Sequence, residues 1–192
     1  MQDKLERDKE MKDIMVDIET LSTNSNGVIV SISAVQFCLE TGELGEEFEI
    51  GLTINDQIAS GAVIDGDTVM WWLSQDKEAQ AKLTTIEKIG AANALMALNK
   101  WIYSMYPSWD EQRNVRLWGN GATFDNVMIR NLYDRLGLKF AIPYWGDNDV
   151  RTAVTLKGID TRDYKFMGVK HYGIDDCKHQ INYITGGPTD GR

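Results

Sequence analysis

Asp17 and Glu19 stand two residues apart in the run MVDIET. Because alternate side chains of a β-strand project from the same face, a strand here would present both carboxylates together. Two neighbouring acids in an apolar run are costly unless a positive group lies between them. Carboxylate oxygens are hard ligands that suit Mg²⁺ or Mn²⁺. The pair therefore predicts a metal site, with a solvated strand end as the alternative that the pair alone leaves open.

A second acid, Asp125, ends the segment NGATFD, which joins a predicted strand to a predicted helix. An acid in the first helical turn is stabilised by the helix dipole, and Thr123 or Asn120 could cap the same helix. That structural role alone would be enough to explain an acid at this position. A position directly after a strand favours a functional role as well, because ligand sites gather at strand ends.

A third group of polar residues lies in HYGIDD, close to the end of the chain. The chain has only two histidines, and Gly173 before the last predicted helix puts His171 on a loop. The acids Asp175 and Asp176 would then begin the helix. Helical periodicity does not choose between them, and acids at a helix start are also expected from the dipole alone.

Together the three motifs resemble the DEDD superfamily of 3′-to-5′ exonucleases, also called DnaQ-like, in the histidine subclass DEDDh. The resemblance spans roughly residues 12–185, and three ordered motifs are far more specific than any one of them. The third motif of the subclass, H-x-x-x-x-D, selects Asp176 and leaves Asp175 a role other than metal ligand. The matched positions are Asp17, Glu19, Phe124, Asp125, His171 and Asp176.

A narrower resemblance joins the chain to phage exodeoxyribonucleases and small bacterial exoribonucleases of the same superfamily. It is carried by the stretches TVMWWLSQDKEA, WGNGATFDN, DVRTAV and HYGIDDCKHQ. The sequence departs from the commonest pattern at Gly173, where alanine is frequent. Glycine is small enough to preserve the packing, and it adds freedom to the loop that carries His171.

The resemblance implies a two-metal hydrolysis of the terminal phosphodiester, with two Mg²⁺ or Mn²⁺ ions as cofactors. Asp17 would bridge the ions and His171 would be the general base, since its ordinary pKa is near neutral. The products would be nucleoside 5′-monophosphates from single-stranded DNA or 3′ overhangs. RNA is the alternative substrate with the same residues. The metal ligands implied are Asp17, Glu19, Asp125 and Asp176.

Several residues are predicted to bind the last nucleotide. Thr20 and Leu21 resemble the family's 3′-terminal pocket, which offers main-chain N–H groups and apolar packing. Trp71 and Trp72 are adjacent on a predicted helix, which can bury one of them in the core and leave the other to stack on a base. The sequence does not show which of the two is buried. The full predicted set is Thr20, Leu21, Trp71, Trp72, Asn120 and Phe124.

The elements that must position these residues begin with a hairpin, DIMVDIET and VIVSISAVQF, joined by the turn-rich STNSNG. EEFEIGLTI predicts a third antiparallel strand, residues 67–83 two short helices, and residues 90–105 a longer one. VRLWGN predicts a fourth strand, followed by helices at 122–137, around 147–158 and at 175–184. We expect an α/β fold with a ribonuclease-H-like mixed sheet, three antiparallel strands and then parallel ones, flanked by helices.

The length of 192 residues and 43% hydrophobic content predict one domain over residues 12–185, with a charged arm at 1–11 and a loose tail at 186–192. No apolar run predicts a membrane span, and the charged start lacks a secretory signal, so a cytoplasmic protein is expected. Cys38 and Cys177 are expected to be buried free thiols.

The net charge of −9 weighs against tight duplex binding. An enzyme that holds one strand end through metal ions needs few phosphate contacts, so weak, salt-sensitive, end-directed binding is expected. Five cations make residues 149–170 locally positive, as a phosphate-contacting loop or as a solvated segment. They are Arg151, Lys157, Arg162, Lys165 and Lys170.

Three other functions are weaker fits to these motifs. A ribonuclease-H-type endonuclease also uses a carboxylate cluster, but the His-x₄-Asp motif favours the exonuclease. An inactive nucleotide-binding module would be expected to have lost an acid, and a structural protein has no need of these spacings. Many relatives work as homodimers, which makes a homodimer an open alternative to a monomer. The sugar of the single-stranded substrate depends on pocket contacts that the sequence does not display.

Overall fold

The computed structural model describes residues 11–187 around one six-stranded sheet in the order β4-β3-β2-β1-β5-β6. The strands are Asp13–Thr20 (β1), Ile29–Phe37 (β2), Leu44–Leu52 (β3), Lys88–Ile89 (β4), Arg116–Gly119 (β5) and Asp147–Asp149 (β6). The helices of this part are Ile54–Ala59 (α1), Gly66–Ser74 (α2), Lys77–Thr85 (α3), Ala91–Met105 (α4), Trp109–Gln112 (α5), Asp125–Arg135 (α6), Val150–Lys157 (α7) and Gly173–Thr185 (α8). Among them, none combines the length and apolar content needed to cross a membrane.

The predicted charged arm and loose tail lie almost wholly outside the described residues. Met11 is the arm's only described residue, and its carbonyl accepts a hydrogen bond of 2.6 Å from the Tyr106 hydroxyl. Gly186 and Gly187 are the described part of the tail, and Gly186 ends α8 in the left-handed conformation with φ of 74°.

The strands pair as the predicted mixed sheet. β1 runs antiparallel to β2, with Asp17 opposite Ser33, and β2 runs antiparallel to β3. β5 joins the other edge of β1 in parallel, and β6 continues in parallel beyond it. The pairing of β1 with β2 shifts between Glu19 and Thr20, where the acidic end of the strand begins to leave the ladder.

A buried ion pair holds β1 against β5. The Asp13 side chain is fully buried and accepts two hydrogen bonds of 2.6 Å from the Arg116 guanidinium. The indole N–H of Trp118 donates to the same carboxylate at 2.7 Å. Because a buried carboxylate needs such partners, these contacts stabilise the parallel pairing of the two strands that carry the first two motifs.

The alternation of β1 divides its side chains between two layers. Its even-numbered apolar residues enter the core cluster that includes α4 and α6, whereas Met15 enters a second cluster under α8. Asp17 and Glu19 share the parity of Met15, so they project toward the side of the sheet that α8 covers. The predicted stripe of α8 is buried, as are both cysteines; the stripe is Ile174, Cys177, Ile181 and Ile184.

The helix predicted within residues 147–158 is confirmed as α7, and one prediction about helix capping was wrong. The segment 147–158 does not begin as a helix, because Asp147–Asp149 pairs with β5 as β6. α7 then begins at Val150, where the Asp149 carboxylate accepts the N–H of Thr152. The helix α6 has Phe124 at its N-cap with no side-chain cap, so neither Thr123 nor Asn120 fills that role. The short elements α1, β4 and α5 carry too little periodicity to have been predicted.

Candidate active site

The first two acids lie at the end of β1, on the face toward α8. Burial, and then repulsion from Glu19, raise the pKa of the Asp17 carboxyl well above its usual range. The amide of Gln180, from α8, donates to Asp17 at 3.2 Å and partly offsets this rise. The pKa of Glu19 is also raised well above its usual range, by burial first and then by Asp176 and Asp125. These four carboxylates therefore lie close enough to repel one another.

Asp125 is the first residue of α6, at the carboxyl end of β5. Burial raises the pKa of the Asp125 carboxyl to about 7, and backbone hydrogen bonds from Ile18 and Asn120 offset part of that rise. The glycine before this loop provides the space: a Cβ on Gly119 would lie 2.9 Å from the Asp125 Cβ. The strand end and helix start thus fix the carboxylate by main-chain contacts rather than by side-chain neighbours.

Asp176 projects from the first turn of α8, and His171 precedes that helix on a short loop. Burial raises the pKa of Asp176 to about 6, although the His171 backbone N–H donates to its carboxylate. Carboxylate oxygens of Glu19 and Asp176 and a ring nitrogen of His171 all lie within 4.8 Å of one another. The structure thus brings together the five residues that the motifs single out.

The His171 loop is held by the neighbouring acid, Asp175. The N–H of Val169 donates to the Asp175 carboxylate at 2.9 Å. Gly168, with φ of 111°, packs so closely on that carboxylate that a Cβ would collide with it. His171 itself has φ of 63°, a conformation that histidine tolerates better than most residues. Asp175 therefore contacts the loop backbone, while Asp176 faces the acidic cluster.

The ring of His171 packs edge-on against Trp71 and Trp72, with centroids 5.2 Å and 5.8 Å apart. Burial lowers the pKa of His171; Asp76 opposes that shift and Lys170 adds to it. A pKa below the ordinary value leaves the imidazole neutral at neutral pH, able to accept a proton.

Gly173 explains the departure from the commonest motif. It is buried where α8 crosses β2, and a Cβ there would lie 2.7 Å from the Ser33 Cβ and closer still to its hydroxyl. The same Cβ would come within 3.4 Å of the Asp17 carboxylate. Because Ser33 pairs with Asp17 across the β-ladder, glycine lets α8 approach the acidic strand closely.

A cavity of about 560 Å³ opens beside Glu19. Trp72 forms its buried wall, 5% exposed, and donates its indole N–H to the Thr20 carbonyl at 2.8 Å. Trp71 is 45% exposed, which assigns the core position to Trp72 and the accessible one to Trp71. The lining residues are Ile18, Glu19, Thr20, Thr23, Asp65, Asp67, Thr68, Trp71, Trp72 and Phe124.

Two of the predicted substrate residues lie outside this lining. The N–H of Leu21 donates to the Val28 carbonyl at 2.9 Å, so the fold already uses it. Asn120 contributes its backbone N–H to Asp125 instead. Sequence reasoning missed the polar wall at the start of α2, where the Asp65 carboxylate caps the helix by accepting the N–H of Asp67. The helix-start pattern D-G-D-T was visible, but its approach to β1 was not.

The donor set fits divalent cations. Four carboxylates that are partly buried and mutually repelling keep raised pKa values, and a cation among them would remove both the repulsion and the desolvation cost. Oxygen donors of this kind match Mg²⁺ or Mn²⁺ rather than metals that prefer sulfur.

The sheet order, with three antiparallel strands followed by parallel ones, agrees with the ribonuclease-H-like fold predicted from the sequence. The family model described as "3'-5' exoribonuclease Rv2179c-like domain" matches residues 12–186, and the chain belongs to that family. The description of that family names a 3′-5′ exoribonuclease. A comparison with curated proteins found no match.

Solved structures with the same fold include two exonucleases. The nuclease domain of 3'hExo, described as a DEDDh family member bound to rAMP, aligns with a TM-score of 0.58 at 12% identity over 91% of this chain and 90% of that one. E. coli Exonuclease I in complex with a dT13 oligonucleotide aligns with a TM-score of 0.56 at 14% identity over 90% of this chain. The chain spans about 40% of the length of Exonuclease I. These likenesses support the ribonuclease-H-like fold predicted from the motifs.

Proposed function

We propose that this chain removes nucleotides singly from the 3′ end of single-stranded RNA and releases nucleoside 5′-monophosphates. The observation that carries the proposal is the 560 Å³ cavity that opens directly beside Glu19 and the acidic cluster. Its aromatic walls suit one terminal nucleoside. The phosphodiester of that nucleoside would then lie over the carboxylates, which is what an end-directed hydrolase requires.

Trp71 and Phe124 would bind the terminal base. Aromatic rings stack on bases without reading sequence, and each stack contributes about 1 to 3 kcal/mol. Trp71 also touches His171 edge-on, so a base stacked on Trp71 would restrict the ring that faces the acids. We infer that nucleotide binding and placement of the histidine are coupled through this tryptophan.

Asp17, Glu19, Asp125 and Asp176 would hold two Mg²⁺ or Mn²⁺ ions. When bound, these ions supply Lewis-acid stabilisation of the charge on the phosphodiester. His171 would act as general base, accepting the proton of the attacking water at a ring nitrogen. The nearby carboxylates of Glu19 and Asp176 would stabilise the imidazolium that results.

RNA is proposed as the substrate because the family's description names exoribonuclease activity. The polar wall of the cavity supports it, since the side chains of Thr23, Asp67 and Thr68 offer oxygens that a ribose 2′-hydroxyl can hydrogen-bond. Single-stranded DNA and 3′ overhangs form the second candidate, favoured by the shared fold with an exonuclease solved on dT13.

The test uses RNA and DNA strands of one sequence, each labelled at its 5′ end. With Mg²⁺ or Mn²⁺ we expect a descending ladder on RNA, no cleavage in chelator, and a kcat/KM roughly two- to tenfold above that on DNA, as one neutral hydrogen bond would give. A kcat/KM for DNA that equals or exceeds that for RNA would overturn the RNA assignment. Internal fragments, or intact strands in every lane, would overturn the proposed exonuclease itself.

A further inference from the structure

Arg151 lies at the border of the acidic cluster. It is the second residue of α7, which begins directly after β6 at the sheet edge beyond β5. Its guanidinium stands over the loop that leads to Asp125: a Cβ on Gly121 would lie 3.4 Å from the Arg151 Cζ. Gly121 has φ of 113°, so its backbone conformation requires glycine, and the guanidinium lies at van der Waals distance from the position a Cβ would take.

Within residues 11–187, Arg151 differs from most other arginines. Its side chain is exposed, and it forms neither an ion pair nor a side-chain hydrogen bond with another residue of that range. Four of the six arginines in the range do form ion pairs. These four are Arg113, Arg116, Arg130 and Arg162.

The charge of Arg151 reaches the site, since it lowers the pKa of Asp125 against the larger effect of burial. In a chain of net charge −9, an exposed guanidinium near Asp125, at the border of the acidic cluster, is a favourable place for an anion to bind. Phosphate oxygens match its fork of N–H donors.

We propose that Arg151 binds the phosphate one linkage farther toward the 5′ end than the phosphodiester being cut, an inference that rests on the proposed function. Phe124 lines the cavity for the terminal nucleoside, Asp125 follows it at the acids, and Arg151 faces that acid from the side of β6 and α7. A strand that leaves the cavity and crosses the acids would therefore meet Arg151 next. This contact would fix the direction of the strand without reading its sequence.

The test compares wild type, Arg151→Ala, Arg151→Lys and the control Arg162→Ala on a short single-stranded RNA. Arg162 is on the same basic segment, but it is paired with Asp160 at 2.6 Å. Arg151→Ala should raise KM about 10- to 100-fold, as loss of a charged hydrogen bond does, with kcat within about twofold of wild type. Lysine should recover part of the loss, since it keeps the charge but not the fork. Arg162→Ala should match wild type.

A second substrate carries a neutral methylphosphonate at the linkage assigned to Arg151. On this substrate the KM of wild type and that of Arg151→Ala should become equal. In a separate binding measurement with Ca²⁺ and the all-phosphate strand, the slope of log K against log salt should be smaller by about 0.7 for the variant. A defect that persists on the neutral linkage would overturn the proposal and indicate an effect through Asp125. An Arg151→Ala variant that binds and cuts like wild type would also overturn it. Inactive wild type would instead overturn the proposed function, while the binding arm still tests Arg151.

Discussion

The acids and the histidine of the site are held in different ways. Asp17 lies on a strand with hydrogen-bonded neighbours on both sides, and Asp125 accepts hydrogen bonds from the backbone of Ile18 and Asn120. His171 lies on a loop with positive φ, tied down through the Asp175 carboxylate. The sheet therefore sets the positions of Asp17 and Glu19, and the starts of α6 and α8 set those of Asp125 and Asp176. The position of the proposed base depends instead on one short loop and the tryptophans beside it.

The largest effect on activity is expected at the acid that the sheet holds, Asp17. Asp17→Asn should lower kcat by roughly 10⁴-fold or more, because a proposed bridging ligand loses its charge. The fold should persist, since the change removes repulsion from Glu19 and keeps the shape. An activity assay measures the loss of kcat, and thermal melting in chelator measures whether the fold persists. Glu78→Gln, on the exposed side of α3, is the control; near-normal activity of Asp17→Asn would contradict the metal assignment.

His171→Ala should lower kcat by roughly 10² to 10⁴-fold, the usual contribution of a general base. In wild type, activity should rise with pH as His171 loses its proton, and its lowered pKa places this rise below the ordinary histidine range. The variant should lose that part of the pH profile. His179→Ala is the matched control and should be nearly silent, because that ring packs on Phe166 and Tyr183. A loss under about tenfold would assign the base to another group.

Asp175→Ala tests the loop without removing any proposed ligand. Release of the Val169 N–H should misplace His171 and lower kcat roughly ten- to hundredfold, with KM little changed. Asp175→Asn keeps an acceptor oxygen and should recover most of kcat, whereas Asp163→Ala in the same segment should have no effect. Equal losses in the alanine and asparagine variants would show that the charge of Asp175, rather than its contact with the loop, is what matters.

The smallest expected effect is that of Asp125 on the stability of the folded protein in the absence of metal. The pKa of Asp125 in the folded protein is about 7, above its unfolded value, so its contribution to stability is present at low pH and is lost as pH rises toward 7. Asp125→Asn should therefore raise the melting temperature in chelator more at pH 8 than at pH 5. Mg²⁺ should stabilise wild type and have little effect on the variant. A pH-independent difference would contradict the charge repulsion described here.

Much of this site could be predicted from local patterns. Alternation placed Asp17 and Glu19 on one face of β1, and the spacing of the last motif chose Asp176 over Asp175, whose contact with the loop the structure then displays. The stripe of α8 also follows from periodicity, because it depends on residues close in sequence.

The remainder depends on contacts between distant segments. Nothing local indicates that Gly173 must approach Ser33, that Trp72 rather than Trp71 is buried under Thr20, or that Arg151 stands over Gly121. Each pair is brought together by the packing of a helix against the sheet or a loop. The cap of α6 was misjudged because carbonyls of the preceding turn accept the first N–H groups: those of Asp125 and Val127 donate to Gly121 and Ala122, so no side-chain cap is needed.

The most direct test of the central claim is to follow a strand labelled on its 3′-terminal nucleotide in the presence of Mg²⁺. The account predicts that labelled nucleoside 5′-monophosphate is the first product, released without a lag by wild type and absent with Asp17→Asn or chelator. Label that first appears in internal fragments, or only after a lag, would contradict cleavage from the 3′ end by this acidic site.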